Sequence, residues 1–171
     1  MKNIILIWMP GSWKTTIGKP LAEKLNMDFL DFDDDVIEKE MWKTVGEVLE
    51  ELGEEKFLNL EEKLALNLNI KNTVLATSGS VPLRPKAIEY LKTIWKIIYL
   101  EIPIETVKTR LERMKVDRIV GMKNMTMDEI LAYRKSFYEK SYDYKFSFSG
   151  LWEKQEVFKE FIQFFKKLNL N

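Results

Sequence analysis

A loop near the amino terminus has the residue types and spacing that bind phosphate. It reads ILIWMPGSWKTTIG, close to the pattern G-x-x-x-x-G-K-S/T that follows a buried strand. In such loops backbone N–H groups surround the phosphates, the lysine reaches the β- and γ-phosphates, and the hydroxyl holds Mg²⁺. Gly11, Lys14 and Thr15 are in place. Trp8 and Trp13, however, stand at the two defining glycine positions, so the sequence predicts a phosphate site with an obstructed turn.

All five tryptophans lie at positions that suit glycine. Trp42 and Trp95 each lie between a helical stretch and the next element, where left-handed glycine often ends a helix, and Trp152 lies in a loop. The chain has 7 glycines in 171 residues, roughly 4% where about 7% is ordinary. We hypothesise that UGA codons meaning glycine, as in some bacterial lineages, are translated here as tryptophan. A degenerate or engineered loop is the alternative.

Trp8 and Trp13 should impair phosphate binding more than folding. Both are expected at the carboxyl edge of a sheet, where a large side chain can partly face solvent. Left-handed backbone costs a non-glycine residue about 1–2 kcal/mol, which a domain stable by about 5–15 kcal/mol can absorb. An indole at Trp13 would occupy the place of a phosphate. We therefore expect a folded chain that binds ATP poorly.

Four carboxylates follow the second predicted strand, namely Asp31, Asp33, Asp34 and Asp35. Such a cluster can serve Mg²⁺, directly or through water, and can act as a base toward a substrate hydroxyl. Acidic residues in the first turn of a helix also complement its dipole, which accounts for Asp34 or Asp35. Four carboxylates near a phosphate loop exceed what this capping needs.

A turn of small residues, Ser78-Gly79-Ser80, follows the third predicted strand. Small residues at the end of a strand let the backbone approach a ligand, although ordinary turns look the same.

Three arginines are further candidates for binding. Arg110 lies in the helix after the fourth strand, and Arg118 lies in a polar, methionine-rich segment, 115–126, which suggests a mobile lid. Arg134 precedes an aromatic pair on a helix, and its planar fork suits a carboxylate. Each of them, taken singly, is more often a solvated charge.

The composition excludes several classes of function. The formal net charge is zero, with 27 basic and 27 acidic residues, so no global field favours nucleic acid or an anionic membrane. The chain has no cysteine, which excludes disulfides, thiolate catalysis and zinc–sulfur sites. It has no histidine either, so proton transfer falls to carboxylate, lysine or water. No stretch approaches the roughly 20 apolar residues of a membrane span, and we expect a cytoplasmic monomer.

Short apolar runs alternate with helical patterns along the whole chain, which predicts one α/β domain, 1–171, with a parallel sheet covered on both faces. The predicted strands are 3–7, 28–30, 73–76, 96–100 and 144–148. The predicted helices are 16–25, 36–41, 45–69, 85–93, 104–114, 127–141 and 158–168. Ligands bind beyond the carboxyl ends of such strands, where the candidate residues fall.

Taken together, these segments resemble the shikimate kinase family along nearly the full chain. The matching pieces are WMPGSWKTTIG, LDFDDD, FLNLE, TSGSVPLRP, IIYLEIPIETVKTRLE, DRIVGMK and RKSFYEK. The resemblance implies a three-layer P-loop kinase fold with a five-stranded parallel sheet and a lid. It also implies transfer of the γ-phosphoryl group of ATP, with Mg²⁺, to a hydroxyl of shikimate.

The resemblance also implies roles for individual residues. The implied nucleotide-binding residues are Gly11, Ser12, Trp13, Lys14, Thr15, Thr16, Arg110 and Arg118. The implied shikimate-binding residues are Asp33, Asp34, Ser78, Gly79, Ser80 and Arg134. The implied Mg²⁺ ligands are Thr15 and Asp31, and the implied catalytic residues are Lys14, Asp33 and Arg118. A one-residue difference in length after Asp33 makes Asp34 the alternative contact to the substrate diol.

Beyond the loop, two departures from the family pattern bear on the acceptor. Leu58 stands where the family has its second carboxylate-binding arginine, and Arg84 or Lys56 are the possible replacements. Loss of one guanidinium from a buried anion site costs on the order of 2–5 kcal/mol. The other departure is Ser78-Gly79-Ser80 in place of three glycines, which adds hydroxyls and narrows the site. Two rival functions therefore stay open: a related kinase for another hydroxyl compound, and a non-catalytic binding protein if Trp8 and Trp13 are genuine.

Overall fold

A computed structural model describes residues 2–9, 14–111, 119–121, 124–148 and 154–170, with the side chains of Lys14, Thr15, Arg110 and Lys154 excepted. Five strands form one sheet in the order β2-β3-β1-β4-β5, and every pairing is parallel. The strands are β1 (Asn3–Trp8), β2 (Asp28–Asp31), β3 (Thr73–Ala76), β4 (Trp95–Glu101) and β5 (Tyr144–Ser147). The predicted five-stranded parallel sheet is confirmed.

Helices alternate with the strands along the described part of the chain. They are α1 (Lys19–Leu25), α2 (Glu38–Met41), α3 (Val45–Leu52), α4 (Glu54–Leu66), α5 (Pro85–Ile94), α6 (Ile104–Leu111), α7 (Met127–Ser141) and α8 (Lys154–Lys167). Wider π-helical turns precede α1 (Lys14–Gly18) and α2 (Phe32–Ile37), and a 3₁₀ turn precedes α5 (Val81–Leu83).

The apolar run of β1 explains why the sheet is covered on both faces. All six residues of β1 are buried, as expected for the central strand of a parallel sheet. At the amino end of this strand, the buried side chain of Asn3 donates to the carbonyls of Ile70 and Ile94 and accepts from the backbone N–H of Thr73. One amide therefore fixes the starting points of three neighbouring strands.

The predicted single helix 45–69 is wrong, because the chain breaks at Gly53. The backbone of Gly53 has φ 74° and ψ 165°, a conformation that a residue with a Cβ rarely adopts. The capping box of Thr44 and Glu47 starts α3 at Val45, where the predicted helix also begins, and α4 begins as a separate helix at Glu54. The break gives α4 its own direction, along which it presents residues to the turn after β3.

Candidate functional site

The carboxyl ends of three neighbouring strands bring the candidate residues to one edge of the sheet. Asp31 at the end of β2 pairs with Ala76 of β3, and Ala76 pairs with Leu6 of β1. Thr77 continues this edge, since its N–H and hydroxyl both donate to the carbonyl of Leu6. Because β1 has β3 on one side and β4 on the other, this is the switch point where ligands of such sheets bind.

The four aspartates after β2 have different surroundings. Asp31 is buried, and its Oδ1 accepts from the N–H of Asp33 at 3.0 Å. Asp35 accepts from the N–H of Asp31 at 2.9 Å and from Lys39 at 2.8 Å. Burial pushes the pKa of Asp35 upward, but the hydrogen bonds from Lys39 and Asp31 outweigh it and leave that pKa below its usual value. Asp35 therefore stabilises the turn itself, as the capping interpretation proposed.

Asp33 and Asp34 differ in their exposure. Asp34 is exposed, whereas Asp33 is half-buried and close enough to the buried Glu61 to raise the pKa of that carboxyl. Asp33 thus faces the interior of the site and Asp34 faces solvent.

A buried glutamate on α4 holds the turn after β3. Glu61 is 0% exposed, and its Oε1 accepts hydrogen bonds from the hydroxyls of Ser78 and, at 2.9 Å, Ser80. The two serine oxygens lie 3.4 Å apart. The hydroxyls that Ser78 and Ser80 add to this turn therefore donate hydrogen bonds to Glu61 of α4.

Two buried residues of α7 hold the same turn from the other side. Arg134 is 2% exposed, and its Nη1 donates to the carbonyl of Gly79 at 2.9 Å. Tyr138 donates to the same carbonyl at 2.6 Å and also to the carbonyl of Trp8. Burial lowers the pKa of Arg134 and raises that of Tyr138, and the raised pKa keeps the Tyr138 hydroxyl neutral at neutral pH.

Two residues of the predicted lid segment, 115–126, contact the helices α7 and α4. Arg134 donates through Nη2 to the carbonyl of Val120 at 3.0 Å. The N–H of Gly121 donates to Glu54 in the first turn of α4 at 2.8 Å. The middle of the predicted lid segment is therefore hydrogen-bonded to the two helices that hold the turn after β3.

The expectation that the Trp8 side chain partly faces solvent is wrong. Trp8 is the last residue of β1, is 1% exposed and belongs to the hydrophobic core. Its indole N–H is buried without a hydrogen-bond partner in the described part of the chain, which normally costs about 1–3 kcal/mol. The carbonyl of Trp8 still serves the site, because it accepts from Tyr138.

The other two described tryptophans test the glycine interpretation with opposite results. Trp42 ends α2 in left-handed backbone with φ 53° and ψ 32°, as predicted for a glycine position. Trp95 has φ 170° and ψ −167°, which is extended backbone open to any residue. The expectation that Trp95 occupies a position demanding glycine is therefore wrong.

Of the two replacements suggested for the arginine missing at position 58, Arg84 is bonded to another helix and Lys56 is exposed to solvent. Leu58 is half-buried and packs against the core. Arg84 bonds to α4 instead, through Nη2 to Glu55 and Asn59, each at 2.9 Å, and Lys56 is exposed.

Several predicted residues cannot be placed in the site. Thr16 is half-buried in the π-helical turn before α1. The side chains of Lys14, Thr15 and Arg110 are not described. Five residues that the sequence analysis singled out lie outside the described ranges, namely Gly11, Ser12, Trp13, Arg118 and Trp152.

Sequence reasoning missed Glu61 and Tyr138 as site residues. A signal for Glu61 was available, because it interrupts the buried stripe of Phe57 and Ala65 at a spacing of four residues. A carboxylate on an apolar stripe must find buried partners. Tyr138 similarly lies four residues after Arg134, on the same face of α7.

Asp31 fits a role in holding Mg²⁺. Within the described ranges, no three acidic side chains gather closely enough to hold a metal by themselves. Mg²⁺ bound with substrate phosphates commonly uses only one or two protein carboxylates, so the single buried Asp31 at the sheet edge satisfies that requirement.

The sheet order, the turn before α1 and the polar groups beyond β1 to β3 define an α/β protein of the phosphate-binding-loop class. Residues 10–166 match the family model described as shikimate kinase. The chain belongs to the shikimate kinase family.

Individual relatives include a shikimate kinase of similar length and a longer protein with a different name. The chain is 33% identical over 172 residues to the shikimate kinase of Thermodesulfovibrio yellowstonii, covering 99% of this chain and 98% of that protein. It is 40% identical over 143 residues to human threonine synthase-like 1, covering 83% of this chain and 19% of that protein. The chain thus spans about a fifth of these longer relatives.

A solved structure shares the whole fold. The shikimate kinase from Acinetobacter baumannii in complex with shikimate superposes with a TM-score of 0.82 at 26% identity, covering 100% of this chain and 96% of that chain. In the described part of our chain, no helix has the length and apolar character needed to cross a membrane.

Proposed function

We propose that the protein is a kinase that transfers the γ-phosphoryl group of Mg·ATP to one hydroxyl of shikimate. The observation that carries the proposal is the buried Arg134 at the turn after β3, close to Glu61, which also lies close to Asp33. A buried guanidinium at a ligand-binding sheet edge suits a carboxylate on the acceptor. Membership of the shikimate kinase family supports this choice of acceptor.

The acceptor side of the reaction uses residues that the structure brings together. Arg134 has five N–H groups, and its bonds to Gly79 and Val120 use two of them. It grips the acceptor carboxylate while the Ser78–Ser80 turn lines the ring. Asp33 holds the acceptor diol in preference to Asp34, which is exposed.

The transfer step needs positioning more than covalent chemistry. The acceptor oxygen bonds to the γ-phosphorus, the bond to the β–γ bridging oxygen breaks, and ADP leaves. The hydroxyl proton passes to Asp33 as general base. Thr15 and Asp31 would hold Mg²⁺, which would supply neutralisation of the phosphate charge.

The nucleotide side rests on residues assigned by family resemblance. Lys14 contacts the β- and γ-phosphates, and Arg118 in the lid, 115–126, closes over the γ-phosphate. Arg110 stacks on adenine. The backbone of the loop, from Gly11 to Thr16, surrounds the phosphates. We further propose that the single domain, 1–171, works as a cytoplasmic monomer.

The test compares two proteins of verified mass, the printed chain and the variant with Trp8→Gly and Trp13→Gly. We expect shikimate-dependent ADP release from the restored protein and little from the printed one, because an indole at position 13 would occupy the place of a phosphate. Gluconate and nucleosides serve as control acceptors. Equal activity of the two proteins would contradict the assignment of the loop.

One observation favours a different acceptor, and one favours no catalysis. Leu58 is half-buried, and Arg84 is bonded to α4, so one guanidinium alone faces the acceptor among the described residues. Faster phosphorylation of gluconate than of shikimate would identify a related hydroxyl kinase.

The core position of Trp8 favours a binding protein if the tryptophan is natural. Calorimetry showing no ATP binding by the natural protein, with both tryptophans verified by mass, would support that function.

A further inference from the structure

Among the described residues of the site, Glu61 is the one fully buried carboxylate, and its two oxygens have different surroundings. Oε1 accepts from both Ser78 and Ser80. Oε2 is buried and has no hydrogen-bond partner among the described residues. A proton can therefore join or leave Oε2 while both serine hydrogen bonds to Oε1 persist. Protonation of Glu61 changes the charge of the site without releasing the turn.

The charges that face Glu61 come from two elements. Asp33, in the π-helical turn before α2, disfavours the ionised form of Glu61, and Arg134 on α7 favours it. Tyr138 lies beside Arg134 and stays neutral because burial raises its pKa. The charged side chains of the helices α3 and α5, which pack on α4, are exposed to solvent: Glu47, Glu50, Glu51, Lys86, Glu89 and Lys92.

Building on the proposed function, we propose that Glu61 is a positioning residue whose protonation controls acceptor binding: an anionic acceptor binds Arg134 together with a proton on Glu61. An ionised Glu61 attracts the guanidinium of Arg134 and repels the carboxylate of an acceptor that approaches this guanidinium. A neutral Glu61 leaves the full charge of Arg134 to the acceptor. Acceptor affinity should therefore fall as the pH rises through the range in which Glu61 ionises.

This range lies near neutrality. Burial raises the pKa of Glu61 from 4.5 to about 7, against the opposing effect of the two serine hydrogen bonds. Binding of an anion at Arg134 removes part of the positive charge that favours the ionised form, so it raises this pKa further. By linkage, acceptor binding takes up a proton at a pH above 7.

The experiment measures shikimate binding by calorimetry without ATP, so it does not depend on the phosphate loop. Titrations from pH 6.5 to 8.5, in two buffers of different ionisation enthalpy, count the protons exchanged. We expect the wild type to take up most of one proton when it binds shikimate at pH 8. Its affinity for shikimate should fall as the pH rises, by a factor that approaches ten for each pH unit. Glu61→Gln, whose amide oxygen still accepts from the serines, should bind with a pH-independent affinity and take up no proton.

The control variant is Glu62→Gln, which removes the same charge one residue further along α4. It should keep the proton uptake of the wild type. Shikimate binding by the wild type without proton uptake would overturn this inference and leave the proposed acceptor intact, even if Glu61→Gln failed to fold. Absence of shikimate binding at every pH, by the wild type and by Glu62→Gln, would overturn the proposed acceptor and the inference with it.

Discussion

At the scale of single residues, backbone conformation separates a tryptophan that strains the chain from one that does not. Trp42 is 92% exposed in left-handed backbone, and Trp95 lies in extended backbone. The hypothesis that tryptophan replaces glycine is supported at Trp42 and weakened at Trp95. Sequencing the codons at all five positions tests it directly, since UGG at Trp8 or Trp13 would exclude it for the loop.

Trp42→Gly should raise the free energy of unfolding by about 1 kcal/mol, because glycine adopts the left-handed conformation without a steric penalty. Urea denaturation measures the change. Trp95→Gly is the matched control, which should destabilise the protein, since it weakens a strand and removes the ring over which Lys2 lies at 4.5 Å. Equal stabilisation by both substitutions would show that backbone strain is not the cause.

Arg134→Ala, made in the protein with glycine at positions 8 and 13, should raise the shikimate KM by more than tenfold and leave the ATP KM nearly unchanged. The reason is that loss of a buried guanidinium leaves the acceptor carboxylate unpaired, at a cost of about 2–5 kcal/mol. Steady-state kinetics with each substrate varied in turn measures both constants. Lys135→Ala, an exposed neighbour on α7, should change neither. Similar increases in both KM values would place Arg134 outside the acceptor site.

At the scale of elements, the site depends on the helices α4 and α7 as well as on the sheet. The helix α4 contributes Glu61 and Glu54, and α7 contributes Arg134 and Tyr138. The capping box that starts α7 joins Thr126 to Glu129 in both directions, at 3.3 and 2.7 Å. The start of α7 therefore fixes the register in which its buried residues reach the turn after β3.

Thr126→Ala should lower the free energy of unfolding by about 1 kcal/mol, because it leaves an N–H in the first turn of α7 without its side-chain acceptor. Thr44→Ala should cost about the same, because Thr44 makes the same box on α3. Urea denaturation compares them with Ser136→Ala, which is exposed in the middle of α7 and caps nothing. A change of similar size for Ser136→Ala would argue against capping as the cause.

At the scale of the whole molecule, the buried carboxylate of Glu61 makes stability depend on pH. The folded state raises the pKa of Glu61 to about 7, from 4.5, so the native protein binds this proton more tightly than the unfolded chain does. The contribution of Glu61 to stability is therefore lost as the pH rises from about 5 to 8. The lowered pKa of Asp35 acts in the opposite sense, but at a pH below its usual value near 4.

Glu61→Gln should stabilise the protein relative to the wild type more at pH 8 than at pH 5.5, by about 2 kcal/mol, since each unit of pKa shift is worth about 1.4 kcal/mol. Urea denaturation of both proteins at the two pH values measures this difference. Glu62→Gln is again the control and should show no such dependence. The same stability difference between Glu61→Gln and wild type at both pH values would mean that Glu61 is ionised throughout this range.

The sequence by itself determined the sheet and the order of its elements, because apolar runs and turn residues act locally. The boundaries of β3 and α7 match the predicted ranges, since each is bounded by residues with clear preferences, as at Thr126. The break at Gly53 was missed, because one glycine within a long helical pattern is compatible with either a continuous or a broken helix.

Only the tertiary structure decided which polar groups meet. Glu61 reaches Ser78 and Ser80 across 17 and 19 residues of chain, and Arg134 reaches Gly79 across 55. No local spacing encodes such contacts, which depend on how α4 and α7 pack at the carboxyl edge of the sheet. Burial is decided in the same way: Trp8 lies in the core and Trp42 in solvent because of what packs over each position.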